Sequence, residues 1–253
     1  MNLVLLTALG VGGATVIGSV IGFVLKKPTH KFNDIVLSFA AGVMLAAAVI
    51  GLIMPSLEYN KGFLAIIITG AGIFCGAVVL NLIDKIVPHL HKMTGADIEH
   101  HPDKTESLNK VLLFVIAIAI HNLPEGIAAG VSFGSENITQ AITVAGGIAL
   151  QNIPEGMVII APMLSAGVSA KRTFIIALIT GIVEVIGTFI GFFAVSISVA
   201  VLPFALAFAG GTMLYVISDE MIPETHAHGN ERGATYSLLA GFMLMLAFDY
   251  LLG

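Results

Sequence analysis

The chain has 253 residues, 57% of them hydrophobic and only 11% charged, with a formal net charge of -5. Its mean hydropathy is +0.99. No soluble domain of this length needs so much apolar side chain, and nothing in the composition calls for a nucleic acid as partner; the lipid bilayer is the expected surrounding.

Runs of about 20 apolar residues mark transmembrane helices. Eight are expected, over 3–25, 35–57, 62–83, 110–132, 139–163, 173–195, 197–218 and 234–252. The first is not read as a cleavable signal, because no positive residue precedes it, the run is too long and no small-residue cleavage pattern comes before Lys26. With the N-terminus outside, every one of the 11 Lys and Arg residues except Lys61 falls in an inner loop. Basic residues favour cytoplasmic loops, so both termini are expected outside the cytoplasm in a multi-pass protein of the cell membrane. Cys75 is the single cysteine, so no disulfide can form within the chain.

The first three runs echo the last three. Ile17-Gly-Ser-Val-Ile-Gly-Phe23 resembles Ile186-Gly-Thr-Phe-Ile-Gly-Phe192, and Phe39-Ala-Ala-Gly-Val-Met-Leu45 resembles Phe208-Ala-Gly-Gly-Thr-Met-Leu214. Ala71-Gly72 matches Ala240-Gly241, and all three pairs are 169 residues apart. Chance recurrence of small-residue packing motifs is the bland alternative; the shared offset argues against it. Helices one and six are five crossings apart and run oppositely. The expected fold is therefore an all-α integral membrane protein of eight transmembrane helices in a 3+2+3 inverted repeat. Repeat one covers 1–84, a cytosolic loop 85–109, a central helix pair 110–163 and repeat two 172–253. Such folds hold substrate near the midplane, at the repeat interface, on broken helices. The pairs Gly18/Gly22, Gly72/Gly76, Gly126/Gly130 and Gly187/Gly191 let helix backbones approach closely in lipid. The loop carries His89, His91, His100 and His101 beside Asp97, Glu99 and Asp103, which reads either as a metal-collecting segment or as a solvated linker.

The central pair carries the chemistry. His121-Asn-Leu-Pro-Glu-Gly126 recurs as Gln151-Asn-Ile-Pro-Glu-Gly156. His121 lies about 16 Å into its run, counted from Lys110 at 1.5 Å per residue, near the middle of a core about 30 Å thick. His121 and Glu125 are four apart and share one helix face. Pro124 and Pro154 cannot donate to the carbonyls of Ile120 and Leu150, and bare carbonyls at membrane depth must face protein, water or an ion. Asn122 and Asn152 add neutral oxygens. A divalent cation between Glu125 and Glu155 would cancel both charges in low dielectric. Imidazole with carboxylate and amide oxygen suits zinc, iron(II) or manganese better than sodium or potassium. Glu184 is a third carboxylate among apolar residues. It reads either as part of a second metal position with Asn122, Asn152 and the two glutamates, or as a neutral carboxyl bonded to backbone.

The two NxPEG helices, the Phe39–Leu45 segment and Ile217-Ser-Asp-Glu-Met-Ile-Pro-Glu-Thr-His226 resemble the ZIP family of metal transporters, and Gln151 points to its bacterial GufA-like branch. The resemblance spans almost the whole chain. It implies an eight-helix fold, uptake of divalent metal into the cytoplasm across a bacterial inner membrane, and a homodimer as a possible assembly. It also implies a binuclear site, with His121, Glu125, Gln151 and Glu155 at one metal, and Asn122, Asn152 and Glu184 with the shared glutamates at the other. Met44 matches a family position near the first metal, where a thioether can ligate; a helical methionine is more often core filler. Asp219 and Glu220, with Glu224, His226 and His228, match a stretch that would receive metal leaving the centre, or else they solvate a helix end. Asp249 matches a family position on the outer side of helix eight, or caps the membrane edge.

The expected function is passage of divalent transition metal, zinc foremost and also Fe2+, Mn2+, Cd2+ or Co2+, with no enzyme cofactor. No G-x-x-x-x-G-K-[ST] loop is present, so ATP does not drive it directly. The rivals are a proton- or sodium-coupled carrier of another substrate, an intramembrane metalloenzyme, and a membrane metal sensor. The absence of a His-Glu-x-x-His motif weighs against the enzyme.

Overall fold

The computed structural model describes residues 1–25, 28–86, 121–135, 137–165 and 167–252. The described residues are almost entirely helical and contain no strand. The helices are α1 (Asn2–Leu25), α2 (His30–Glu58), α3 (Phe63–Ile86), α4 (121–132), α5 (Ile138–Ser165), α6 (Ala170–Ile197), α7 (Leu202–Thr225) and α8 (Glu231–Leu252). Among the described residues, seven helices are long and apolar enough to cross a membrane. The all-helical membrane fold is therefore the one expected, and the eight-helix count is compatible with it. The histidine-bearing loop 85–109 lies outside the described residues, apart from its first two positions.

Helix starts are written locally. Thr29, Asn137 and Ser169 precede α2, α5 and α6, and each side-chain oxygen accepts a bond from the backbone N–H three residues on. That contact satisfies one of the donors a helix start leaves open.

Two features correct the sequence reading. The helix-breaking prolines do not break their helices: α5 runs on through Pro154 as far as Val158, and 121–132 is helical through Pro124. The irregular backbone lies in α2 and α7, which widen into π-helix at Ala47–Ile53 and Ile217–Met221. Behind these segments Met54 N–H reaches back to Val49 O, and Ile222 N–H to Ile217 O, five residues each. Pro55 and Pro223 follow immediately. A proline has no N–H to give the carbonyl four residues earlier, so the ladder upstream shifts to wider bonds. The second correction is the reach of α7. It ends at Thr225 rather than 218, because the polar Ser218-Asp219-Glu220 stretch stays helical inside that π-turn.

Helices pack through small residues. α1 lies against α5 and α6, α2 against α8 and α5, and α3 against α7. A β-carbon on Gly156 would stand 2.2 Å from the carbonyl oxygen of Thr15, and one on Gly126 would stand 2.2 Å from that of Glu184. Gly18 meets Ile153 in the same way, and Gly187 meets Leu123. Matched positions are 169 apart in the outer helices and 30 apart in the central pair. These contacts are compatible with the 3+2+3 arrangement. Large apolar side chains such as Phe63, Phe74 and Tyr250 point outward, as suits a lipid-facing surface.

Gly156→Val forces backbone apart where no side chain can yield. It is expected to cost about 1–3 kcal/mol of stability through overpacking, and to lower the yield of monodisperse protein in detergent. Gly10→Ala in α1, where a β-carbon meets nothing within 4 Å, is the control expected to behave as wild type in thermal unfolding.

Candidate metal centre

Two buried carboxylates, a half-buried third and three buried amides meet where α1, α4, α5 and α6 come together. Asn122, Glu125, Gln151, Asn152 and Glu184 are each at most 4% exposed, and Glu155 is half-buried. The glycines that follow the two glutamates, Gly126 and Gly156, make this convergence possible. With no side chain there, α4 closes onto α6 at Glu184 and α5 closes onto α1 at Thr15.

Glu184 of α6 is fully provided with donors. Thr15 Oγ1 of α1 donates to its Oε1 at 2.5 Å, and Asn122 Nδ2 of α4 donates to the same oxygen. Asn152 Nδ2 of α5 donates to Oε2 at 2.6 Å and also reaches Val11 O at 3.3 Å. One carboxylate therefore ties four helices together. Bonds to an ionised acceptor are the strong ones, and withdrawing such a group into apolar surroundings is tolerated only when its oxygens are satisfied. The bonding of Glu184 goes to side chains of three other helices, not to backbone.

Glu125 and Glu155 are different. Gln151 Nε2 donates to Glu125 Oε1 at 3.0 Å, and the Glu125 and Glu155 carboxyls lie close enough to act on one another. Glu125 Oε2, Gln151 Oε1, Asn152 Oδ1 and Glu155 Oε1 are all buried without a hydrogen-bond partner. An amide oxygen and an ionised carboxylate can only accept. A cation is one partner that would satisfy such oxygens.

His121 lies one turn from Glu125 on α4. Its Nε2 is 2.5 Å from Glu220 Oε2 in the π-segment of α7. The imidazole thus stands between the buried acceptors and the neighbouring helix group. Among the described residues, no three His, Cys, Asp or Glu side chains form a ready-made metal cage, so any ligand set here draws on the amide oxygens.

Met44 is wholly buried in the hydrophobic core beside the π-segment of α2. Asp219 is exposed, next to Glu220 on the same π-turn. His226 is held by its own surroundings, with Nδ1 at 2.9 Å from Ile222 O and Nε2 at 3.2 Å from Thr235 Oγ1. Asp249 is half-buried on α8. Sequence reasoning missed Thr15, although its position was legible: Thr15 and Glu184 are 169 apart, the repeat offset itself.

A family model described as ZIP Zinc transporter matches residues 87–249. Curated relatives agree along nearly the full length. The chain is 39% identical over 254 residues to "Zinc transporter GufA" of Myxococcus xanthus, covering 98% of each. It is 35% identical over 245 residues to "Zinc transporter ZIPB" of Bordetella bronchiseptica, covering 95% of this chain and 78% of that protein. It is 37% identical over 253 residues to "Zinc transporter ZupT" of Chlorobaculum parvum, covering 95% and 94%.

Thr15→Val keeps the shape of the side chain and removes one donor from Glu184. It is expected to lower stability in thermal unfolding by about 1–2 kcal/mol. Thr188→Val, which removes only a hydroxyl bond to the Glu184 backbone within α6, is expected to have a much smaller effect.

Proposed function

The chain belongs to the ZIP family of zinc transporters, and we propose that it carries zinc into the cytoplasm through the centre formed by His121, Glu125, Gln151 and Glu155. The observation that supports this most is the group of four buried, donorless oxygens on Glu125, Gln151, Asn152 and Glu155. Two carboxylates side by side in low dielectric repel one another, and a divalent ion between them removes that repulsion and replaces the lost hydration. Carboxylate, amide and imidazole donors fit zinc, and also admit iron(II), manganese, cobalt and cadmium. The second metal position of the binuclear reading lies on the side of Asn122, Asn152 and Glu184. The protein acts as a carrier, not as an enzyme.

The metal arrives from outside, where both termini lie, and gives up water in steps as the acceptors replace it. His121 completes the shell by turning from Glu220 to the ion. Movement then follows the division of contacts. Glu184 fastens α1, α4, α5 and α6 into one unit, while α2 packs with α8 and α3 with α7. In this reading the first unit carries the ion past the second and exposes it toward Asp219 and Glu220. Protons compete with metal for the same lone pairs, so protonation of His121 or of the glutamates aids release. The membrane is the inner membrane of a bacterium.

The test is zinc uptake by proteoliposomes. Glu125→Ala and Glu155→Ala are expected to reduce uptake to the level of empty vesicles, and His121→Ala to reduce it strongly. Uptake that stays unchanged in all three variants overturns the assignment.

A further inference from the structure

Glu184 stands where α1 and α6 cross at matched positions. Gly12 of α1 and Gly181 of α6 are 169 apart, and each closes on the other. A β-carbon on Gly12 would stand 2.2 Å from Gly181 O, and one on Gly181 would stand 2.5 Å from Gly12 O. Three residues on from each come Thr15 and Glu184, again 169 apart. The two helices therefore present a hydroxyl and a carboxylate to one another, and the hydroxyl donates at 2.5 Å. The central pair follows the same pattern. Asn122 and Asn152 hold matched places in their hexapeptides and divide the carboxylate between them. Nδ2 of Asn122 donates to Oε1, and Nδ2 of Asn152 donates to Oε2 at 2.6 Å.

A further partner fixes the orientation of Asn152. Its Nδ2 also approaches Val11 O at 3.3 Å, and a backbone carbonyl can only accept. Turning the amide to offer Oδ1 to an ion beside Glu184 would set that oxygen against the carbonyl. The charge balance agrees. One zinc ion cancels Glu125 and Glu155, and leaves Glu184 as an anion whose oxygens meet one hydroxyl and two amides. Bonds to an ionised acceptor are the strong ones. A second zinc ion would leave the three carboxylates one charge short, among amides and a hydroxyl that carry no negative charge, in low dielectric.

We propose that the centre of this chain takes one zinc ion. The position beside Glu184, the second of the binuclear reading, is closed to metal by Thr15, Asn122 and Asn152. Glu184 is then a positioning residue, holding α4 and α5 on α1 and α6 so that Glu125 and Glu155 stand together. The inference rests on the proposed function for the ion between those two glutamates.

The experiment counts zinc by elemental analysis of the full chain in nanodiscs after dialysis against saturating zinc. Wild type is compared with Glu125→Gln/Glu155→Gln. The zinc that this double variant loses belongs to the centre, whatever the chain holds elsewhere, and a loss of one ion per chain is expected. Glu184→Gln is expected to keep that ion, and to lower the melting temperature equally in zinc and in chelator, because its bonds go to protein. Asn152→Asp puts an acceptor where a donor stood, and is expected to raise the central count to two. A loss of two ions in the double variant overturns the inference alone and leaves the central assignment standing. So does a folded Glu184→Gln protein that holds fewer ions than wild type, or a folded Asn152→Asp protein whose count stays at one. No loss in the double variant sinks the central assignment and this inference with it.

Discussion

Unshared electron pairs in a medium without water organise this protein. An oxygen withdrawn from solvent must meet a donor or a cation, because bare burial costs several kcal/mol. The chain applies both solutions within one cluster. Glu184 receives Thr15, Asn122 and Asn152, and so becomes a junction between helices. Glu125 accepts from the Gln151 amide, while Glu125 Oε2 and Glu155 Oε1 lie buried without a hydrogen-bond partner; in the proposed function a cation supplies it. The satisfied carboxylate ties the helices together, and in the proposed function the less satisfied pair is where the ion binds.

The packing serves the same end. In lipid there is little hydrophobic force between helices, so close approach depends on small residues. Gly126 and Gly156 remove the one atom that would hold Glu125 and Glu155 away from the rest of the site. The helices that bring the ligands stay regular through their prolines. The irregular backbone belongs to α2 and α7, with their own prolines, and their π-turns place Met44 just before one and Glu220 within the other. Widened turns of this kind reorient side chains without ending a helix.

Much of this was legible along the chain. The apolar runs mark the described spans to within a few residues, except at α7, where the charges of Asp219 and Glu220 made a helix look finished seven residues early. The duplicated hexapeptide points to the centre because polar atoms at membrane depth have few bland explanations. Thr15 and Glu184 stand at the repeat offset of 169, but that link was missed because an isolated threonine gave no reason to look. The pairing of His121 with Glu220, and that of Asp34 with His228, join residues 99 and 194 apart, and no periodicity carries that information.

Composition and pattern alone determined that the chain crosses a bilayer, where its polar motifs sit and which residue types hold the charge. These follow from one-dimensional physics, since transfer into lipid is a sum over neighbours along a single helix. Tertiary structure decided which of the three carboxylates was already satisfied and which were left in need. Burial depends on a residue's own helix, but satisfaction depends on donors from other helices, and their arrival is set by packing in three dimensions.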